Sequence, residues 1–208
     1  RLPVNTRRSN RERREQSTEL VLEAALRRFV ERGYRATSID DIARDASLTK
    51  GAVDFYFKGK AALLLELLEQ SQRLYTDIFE RMGQSGLGAA AQLEMFVEWA
   101  ARVGVKNKDL LLLPILMSLE FNGQDESVEQ ALNRFYDRYH EALERVVVLG
   151  QEAGEFNPDL APREEAAVLV AFTDGMLLEW IRRSKRLDGQ RLVQSAKALI
   201  SGGLRDAP

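Results

Sequence analysis

Apolar residues recur at intervals of three and four along most of the chain, which is the period of an α-helix. This pattern predicts helices over about 17–31, from 37 or 38, over 49–57, from about 60 to the glycines at 83–88, and through 96–99. Further helices are predicted over 110–121, 125–153, 163–184 and 189–201. The β-branched run at 146–148 continues a helical stripe, so the predicted fold class is all-α.

Several residues mark helix ends. Gly33 suits a helix C-terminus, and Ser38 with Asp41 has the spacing of a capping box at the start of the second helix. Pro114 lies inside the apolar stretch 110–121, so that helix is expected to start late or to kink. Pro162 is suited to the first turn of a later helix. These signals divide the chain into short helices near the N-terminus and longer ones after residue 60.

The two short helices within 37–57 have the layout of a helix-turn-helix. Ala43 is small enough for a close helix crossing, and Val53, ten positions further on, supplies a buried branched side chain. Ser47 occupies the turn, where a left-handed backbone would cost a non-glycine residue on the order of 1 kcal/mol. Spacing alone also fits two ordinary core helices of a bundle.

Charge separates the chain into a basic front and an acidic body. Residues 1–60 hold 14 Lys and Arg against 9 Asp and Glu, a balance of +5, whereas residues 61–208 have a balance of −7. A polyanion is therefore attracted to one end of the molecule. The 208 residues contain no cysteine, which excludes disulfides and zinc-thiolate sites. With no secretory signal and no apolar run long enough for a bilayer, we expect a cytoplasmic protein without membrane contact.

The stretch 18–64 resembles the DNA-binding domain of the TetR family of bacterial transcriptional regulators. The remaining chain of about 145 residues is similar to that family only in length and helicity. The resemblance implies a helix-turn-helix domain with a basic arm over 1–60 and a helical effector-binding and dimerisation domain over 61–208. The matching residues are Ala25, Phe29, Gly33, Tyr34, Thr37, Ser38, Ile42, Ala43, Ala46, Leu48, Thr49, Lys50, Gly51, Val53, Tyr56, Phe57, Lys60 and Leu63.

By this resemblance the second short helix reads the major groove of double-stranded DNA. Its first residues are expected nearest the bases, and Thr37, Tyr56 and Lys60 are expected to contact phosphates. The chain departs from the family at Ser47, where glycine is usual, and at Asp54, where a tyrosine usually contacts a phosphate. The predicted DNA-binding residues are Thr37, Ser38, Thr49, Lys50, Gly51, Ala52, Asp54, Phe55, Tyr56 and Lys60.

Three features of the predicted DNA surface have alternative interpretations. Asp54 either accepts a hydrogen bond from cytosine, pairs internally with Lys50 four residues earlier, or weakens DNA binding. Phe55 is either an apolar base contact or a core residue. The arginines near the N-terminus form either an arm that enters an A·T-rich minor groove or a solvated tail; they are Arg7, Arg8, Arg11, Arg13 and Arg14.

The helices after residue 60 carry large apolar side chains that pack a core and are expected to line an effector cavity. Tyr136, His140 and Asp174 are the polar candidates for orienting a largely apolar small molecule. The last two helices are apolar on more than one face, which predicts a homodimer. The candidate effector-binding residues are Phe96, Trp99, Met117, Phe121, Phe135, Tyr136, Tyr139, Phe172 and Met176.

The resulting hypothesis is a homodimeric, ligand-responsive repressor that is released from a pseudo-palindromic operator by a small-molecule effector. The alternative is a ligand-binding or protein-interaction module of the same fold with weak or no specific DNA binding. We expect no enzyme activity, no cofactor and no metal, because the chain has one histidine and no phosphate-binding glycine loop.

Overall fold

The computed structural model describes residues 10–121 and 125–205, and these form helices without any strand. The all-α prediction is therefore confirmed. No helix among the described residues combines the length and apolarity needed to cross a membrane. The helices are α1 (Asn10–Arg32), α2 (Ile39–Asp45), α3 (Lys50–Tyr56), α4 (Lys60–Gln84), α5 (Ala89–Lys106), α6 (Lys108–Glu120), α7 (Glu126–Glu152), α8 (Pro162–Arg183) and α9 (Gly189–Leu204).

Helix α1 starts at Asn10, well before the predicted start at 17 or 18. Its first turns are exposed, and the Arg11 guanidinium bonds the Glu15 carboxylate at 2.8 Å one turn later. Such pairs stabilise these first helical turns, which have no apolar stripe from which the sequence pattern could predict them. Arg11, Arg13 and Arg14 thus belong to a helix, which corrects the expectation of a separate arm or tail. Arg7 and Arg8 lie outside the described residues.

A first core cluster holds the helix-turn-helix against the body. Val21, Phe29, Ile42 and Val53 are fully buried in it, together with the leucines of the first two turns of α4. The end of α6 and the start of α7 complete the cluster with the side chains of Met117, Phe121, Val128 and Leu132. The predicted domain boundary at 60/61 therefore falls at the first residue of a helix that both parts share.

A second core cluster fills the body and is rich in aromatic side chains. Tyr75 of α4 lies at its centre, with ring centroids 5.0 Å from Trp99, 5.0 Å from Phe135 and 4.8 Å from Tyr139. Helices α4, α5, α7 and α8 contribute most of its members. Apolar side chains on α8 and α9 nevertheless stay exposed, with Val168 61% and Leu199 65% accessible.

Candidate DNA-binding surface and effector cavity

The helix-turn-helix forms as the local sequence predicts. The Ser38 hydroxyl accepts the Asp41 N–H at 3.1 Å, and the Asp41 carboxylate accepts the Ser38 N–H, so the capping box is complete. Ser47 has φ +57°, the left-handed conformation expected in the turn. The N–H of Leu48 then donates to the Ala43 carbonyl at 2.9 Å and directs the chain into α3.

Helix α3 presents a short exposed face. Thr49 caps it by accepting the Ala52 N–H at 3.2 Å, and Val53 turns inward to the core. Gly51 has nothing within 4 Å of the place where a Cβ would lie, so a ligand has close access to its backbone. Phe55 is 73% exposed, which rules out the core alternative. Its ring lies edge-on against Tyr56, with centroids 5.4 Å apart.

Asp54 does not form the internal ion pair that was one of its three interpretations. The Lys50 ammonium bonds Asp40 of α2 at 3.2 Å instead, so it links the two helices of the motif. Asp54 itself is exposed beside Phe55. Two interpretations remain for it, the contact with cytosine and the weakening of DNA binding.

Thr37 and Lys60 have internal roles that the sequence did not reveal. Thr37 is 2% exposed, and its hydroxyl donates to the Gly33 carbonyl at 2.8 Å. The Lys60 ammonium donates to the carbonyls of Tyr34 at 2.6 Å and Thr37 at 2.8 Å, and it lies 4.1 Å from the centre of the Tyr34 ring. Burial lowers the Lys60 pKa. Both side chains brace the loop before α2. The burial of Thr37 argues against its predicted contact with a phosphate, whereas the contact of the half-buried Lys60 stays a prediction.

Acidic and basic side chains fasten α2 to α1. The Arg28 guanidinium binds the Asp45 carboxylate at 2.7 and 2.8 Å, and Arg27 reaches the same carboxylate at 3.3 Å. The hydrogen bond from Arg28 is the main cause that lowers the Asp45 pKa to about 2. Glu120 of α6 adds a link from the body, since it accepts the backbone N–H groups of Tyr34 and Arg35. Neither carboxylate was a sequence candidate, because the partners are distant along the chain.

A cavity of about 1050 Å³ lies in the body between α5, α8 and the start of α9. Tyr75 of α4 and Leu111 of α6 close it on the inner side. Its size matches the upper end of small-molecule sites. The apolar lining residues are Val97, Ala100, Ala101, Val105, Leu111, Met176, Leu177, Trp180, Leu192 and Val193.

Only Met176 of the nine candidate effector residues lines this cavity. Met117 and Phe121 belong to the first core cluster beneath the helix-turn-helix. Tyr136 packs partly buried against the second cluster, and Phe172 is half-buried without lining the cavity. The remaining four are buried members of the second core cluster, where large aromatic rings pack against one another; they are Phe96, Trp99, Phe135 and Tyr139.

Of the three polar candidates, Asp174 lines the cavity and the other two do not. Burial raises the Asp174 pKa to about 7. His140 is half-buried, and its Nδ1 lies 2.8 Å from the Tyr136 carbonyl one turn earlier. The N-terminal residues of α9 were missed as lining residues, because their polar character resembles that of any surface helix start.

The comparisons with known proteins agree with this architecture. The family described as "Bacterial regulatory proteins, tetR family" matches residues 21–67, and "BetI-type transcriptional repressor, C-terminal" matches residues 123–205. The crystal structure of the MbdR regulator from Azoarcus sp. CIB is 39% identical, covers 91% of this chain and 100% of its own, and superposes with a TM-score of 0.82.

Two more distant relatives extend the comparison. The HTH-type transcriptional regulator AcrR of Shigella flexneri is 24% identical over 93% of this chain and 91% of its own. The transcriptional regulator FadR of Bacillus subtilis, solved in complex with stearoyl-CoA, is 20% identical over 90% of this chain and 99% of its own, with a TM-score of 0.73. From these matches and the geometry above, the chain belongs to the TetR family and is a ligand-responsive, DNA-binding transcriptional regulator.

Proposed function

We propose that this protein is a homodimeric repressor that leaves its operator when an organic anion with an apolar body enters the cavity between α5, α8 and α9. The observation that carries the proposal is the course of α4. This helix begins at Lys60, which braces the helix-turn-helix, and reaches the cavity at Tyr75. The 15 residues between them span roughly 22 Å of rigid helix. A ligand that shifts Tyr75 therefore tilts the helix-turn-helix, which packs against the start of α4.

In this proposal residues 1–60 bind DNA, and residues 61–208 bind the effector and form the dimer interface. Exposed apolar side chains on the last two helices support the dimer, because a monomer gains nothing from leaving Val168, Ile181 and Leu199 in water. Two copies related by a two-fold axis would present their α3 helices one DNA turn apart. A pseudo-palindromic operator matches that symmetry.

The exposed part of α3 supports a specific contact surface. Gly51 and Ala52 allow the backbone to approach the base edges, and the Ala52 methyl suits a thymine methyl. Phe55 and Tyr56 add apolar and hydroxyl contacts beside Asp54. Ser38 and Thr49 stand at the starts of α2 and α3, where helix N-termini favour a phosphate. We assign the DNA contacts to these residues and to Lys50.

The charged groups around the cavity support an anionic effector. Arg102, Lys106 and Arg191 line it with exposed side chains and form no ion pair within the described part of the chain. Two acidic side chains of the lining are already engaged. Glu98 bonds Lys197, and Asp188 caps α9 by accepting the Gln190 N–H at 2.9 Å. The ligand of the FadR structure, an acyl-coenzyme A thioester, has this combination of apolar chain and phosphates.

Selection of bound genomic fragments tests the regulator directly. Fragments retained by the protein identify the operator, and their affinity should fall steeply with salt, as it does for proteins that neutralise phosphates. Stearoyl-CoA and shorter acyl-CoA thioesters are then added, and we expect them to release the operator. The double variant Arg102→Ala/Arg191→Ala should bind the operator normally and need at least about tenfold more thioester for release. Release that is unaffected by these changes would place the effector elsewhere.

The charges on α3 limit its attraction for phosphates. Lys50 is the sole cation of α3, and Asp40 already neutralises it, while Asp54 adds a negative charge to the same surface. A ligand-binding or protein-interaction module with little DNA affinity would bind all genomic fragments weakly with a flat salt dependence, and that result would contradict the proposed repressor.

Catalysis has no support in the relatives, which are named as transcriptional regulators. We propose that the protein is not an enzyme. We also propose that it works in the bacterial cytoplasm, because its operator lies on the chromosome.

A further inference from the structure

Asp174 is a half-buried carboxyl group that lacks a polar partner. It lines the cavity from the middle of α8, and it makes no hydrogen bond or ion pair with any residue in the described ranges. Its neighbour Thr173 uses its own hydroxyl to donate to the Leu169 carbonyl at 2.8 Å. A partly buried carboxyl group without a partner is unfavourable, so this position calls for a ligand or a structural reason.

The surrounding side chains supply no structural reason. Tyr75 lines the cavity together with Asp174. The Tyr139 hydroxyl, whose ring packs against that of Tyr75, is buried and has no hydrogen-bond partner among the described residues. Burial and the charge of Asp174 together raise the pKa of Tyr75, Tyr136 and Tyr139. These tyrosines therefore give the Asp174 carboxyl no hydrogen bond, and the one unsatisfied hydroxyl, that of Tyr139, lies behind the cavity lining at Tyr75.

None of the cationic side chains that line the cavity forms an ion pair with Asp174. Arg102, Lys106 and Arg191 are exposed, at the last turns of α5 and the first turn of α9. The cavity is thus polarised, with unpaired cations towards solvent and an unpaired acceptor inside. A cationic ligand would have to pass the three positive side chains, whereas an anionic ligand with a neutral donor on its inner part fits both ends.

We propose that Asp174 is a specificity-determining residue that accepts a hydrogen bond from a neutral hydroxyl or amide N–H group on the inner, apolar part of the effector. This inference rests on the proposed function in one respect, since it takes the cavity as the effector site. It adds the chemical group that distinguishes the effector from other apolar anions of the same size. A hydrogen bond to a charged group in such a site discriminates by about tenfold or more.

Three neutral or cationic probes of similar size test this subsite without the anionic part of the effector. They are 4-butylphenol, 4-butylanisole, in which the donor is methylated, and 4-butylbenzylammonium. Calorimetric titration of the full-length protein at pH 8, where the Asp174 carboxyl is ionised, gives their dissociation constants. Quenching of tryptophan fluorescence, to which Trp180 of the cavity lining and Trp99 of the second core cluster both contribute, checks that the probes enter the body. The variants are Asp174→Asn, which keeps an acceptor oxygen without charge, and Asp174→Leu, which removes the acceptor.

We expect 4-butylphenol to bind the wild-type protein about tenfold more tightly than 4-butylanisole. The preference should persist at a reduced level in Asp174→Asn and vanish in Asp174→Leu. Equal affinity for phenol and anisole in the wild type would overturn the proposal, as would the failure of all three probes to bind. Tightest binding of the ammonium, lost in Asp174→Asn, would show that Asp174 selects a cation and would also overturn it.

Operator release is measured separately, so failure of the subsite and failure of the proposed function give different results. A phenol preference that depends on Asp174, in a protein whose operator binding ignores every thioester, would uphold the subsite and contradict the proposed mechanism of release. Release of the operator by thioesters, without any preference for the phenol, would support the proposed mechanism of release and contradict the Asp174 subsite.

Discussion

The carboxylate of Glu120, at the end of α6, accepts the backbone N–H of Tyr34 in the α1–α2 loop at 2.8 Å. It also accepts the N–H of Arg35 at 2.7 Å, and the Arg35 guanidinium donates back to the Glu120 carbonyl at 3.0 Å. Gly33 lies against this carboxylate, 3.3 Å from where a Cβ would stand, in a conformation with φ +86°. Since α6 also lines the cavity at Leu111, Glu120 joins the helices around the cavity to the helix-turn-helix.

Removal of the Glu120 carboxylate should lower the stability of the fold. It should also reduce the coupling between effector binding and operator binding. Hydrogen bonds to a charged group contribute about 1.5–3 kcal/mol each, so loss of the two bonds in Glu120→Ala should lower the free energy of unfolding by at most about 3–6 kcal/mol. Glu120→Gln keeps one acceptor oxygen and should lose roughly half as much. Urea unfolding measures both values. Operator affinity with and without effector should then show a smaller effector response in Glu120→Ala than in Glu120→Gln.

The turn of the helix-turn-helix offers a stabilising substitution. Ser47 is exposed and holds φ +57°, a conformation that disfavours residues with a Cβ. Ser47→Gly should raise the free energy of unfolding by up to about 1 kcal/mol, because relief of the strain outweighs the extra freedom of glycine in the unfolded chain. Ser47→Ala is the control and should not stabilise the protein. Thermal unfolding of the three proteins at one pH decides the matter.

The helix-turn-helix could be predicted because its signals are local. The capping box of Ser38 and Asp41, the spacing of Ala43 and Val53, and the turn at Ser47 lie within sixteen residues of one another. Side chains whose partners are distant could not be predicted in this way. The internal hydrogen bond of Lys60 is an example, because the Tyr34 carbonyl that its ammonium group binds lies 26 residues away along the chain.

The lining of the cavity was harder to predict for a physical reason. Large aromatic side chains such as Phe96 and Tyr139 were candidates for its lining, but rings of that size gain most by packing against one another, and they fill the second core cluster. The cavity instead borders smaller residues, including Ala100, Ala101 and Gly104, where short side chains leave space. Asp174 was the informative candidate, because an ionisable residue within an apolar stretch needs an explanation.

Asp54 should determine one base of the operator. With Lys50 engaged by Asp40, the Asp54 carboxylate is available on the exposed face of α3, and cytosine N4 is the donor that it would accept. Asp54→Ala should lose about 1–3 kcal/mol of discrimination at one base pair and leave discrimination elsewhere unchanged. Binding to a set of single-base operator variants measures this. Tighter binding to every sequence would instead show that Asp54 only repels phosphates.

Phe55 should contribute to operator affinity and contribute little to the stability of the fold. Its ring is 73% exposed and contacts Tyr56, so Phe55→Ala removes little buried surface. We expect a change in the free energy of unfolding within about 0.5 kcal/mol and a loss of operator affinity of at least about fivefold. Phe29→Ala provides the contrast, because that side chain is fully buried and its truncation should cost about 3–5 kcal/mol. Unchanged operator affinity in Phe55→Ala would remove Phe55 from the contact surface.

The buried carboxyl of Asp174 should make the stability of the protein depend on pH. Burial raises its pKa from 3.8 to about 7, so between these values the folded protein keeps a proton that the unfolded chain releases. The free energy of unfolding therefore falls as the pH rises from 3.8 to 7, and the full penalty applies above pH 7. The upper limit of this penalty is roughly 4 kcal/mol, and water in the cavity should reduce it.

Asp174→Asn removes this penalty, so the variant should be more stable than the wild type at pH 8 and should lose that advantage as the pH falls towards 4.5. Urea unfolding across this range measures the difference in the free energy of unfolding between the variant and the wild type. Ionisations that both proteins share contribute equally to the two values and do not affect this difference. The range ends at pH 4.5 because Asp45, whose pKa the Arg28 guanidinium lowers to about 2, stabilises the folded state only while it is ionised. Asp137→Asn, at an exposed position on α7, is the matched control for replacing a carboxylate by an amide. A difference between Asp174→Asn and the wild type that does not change with pH would mean that the Asp174 carboxyl stays hydrated and ionised in the cavity.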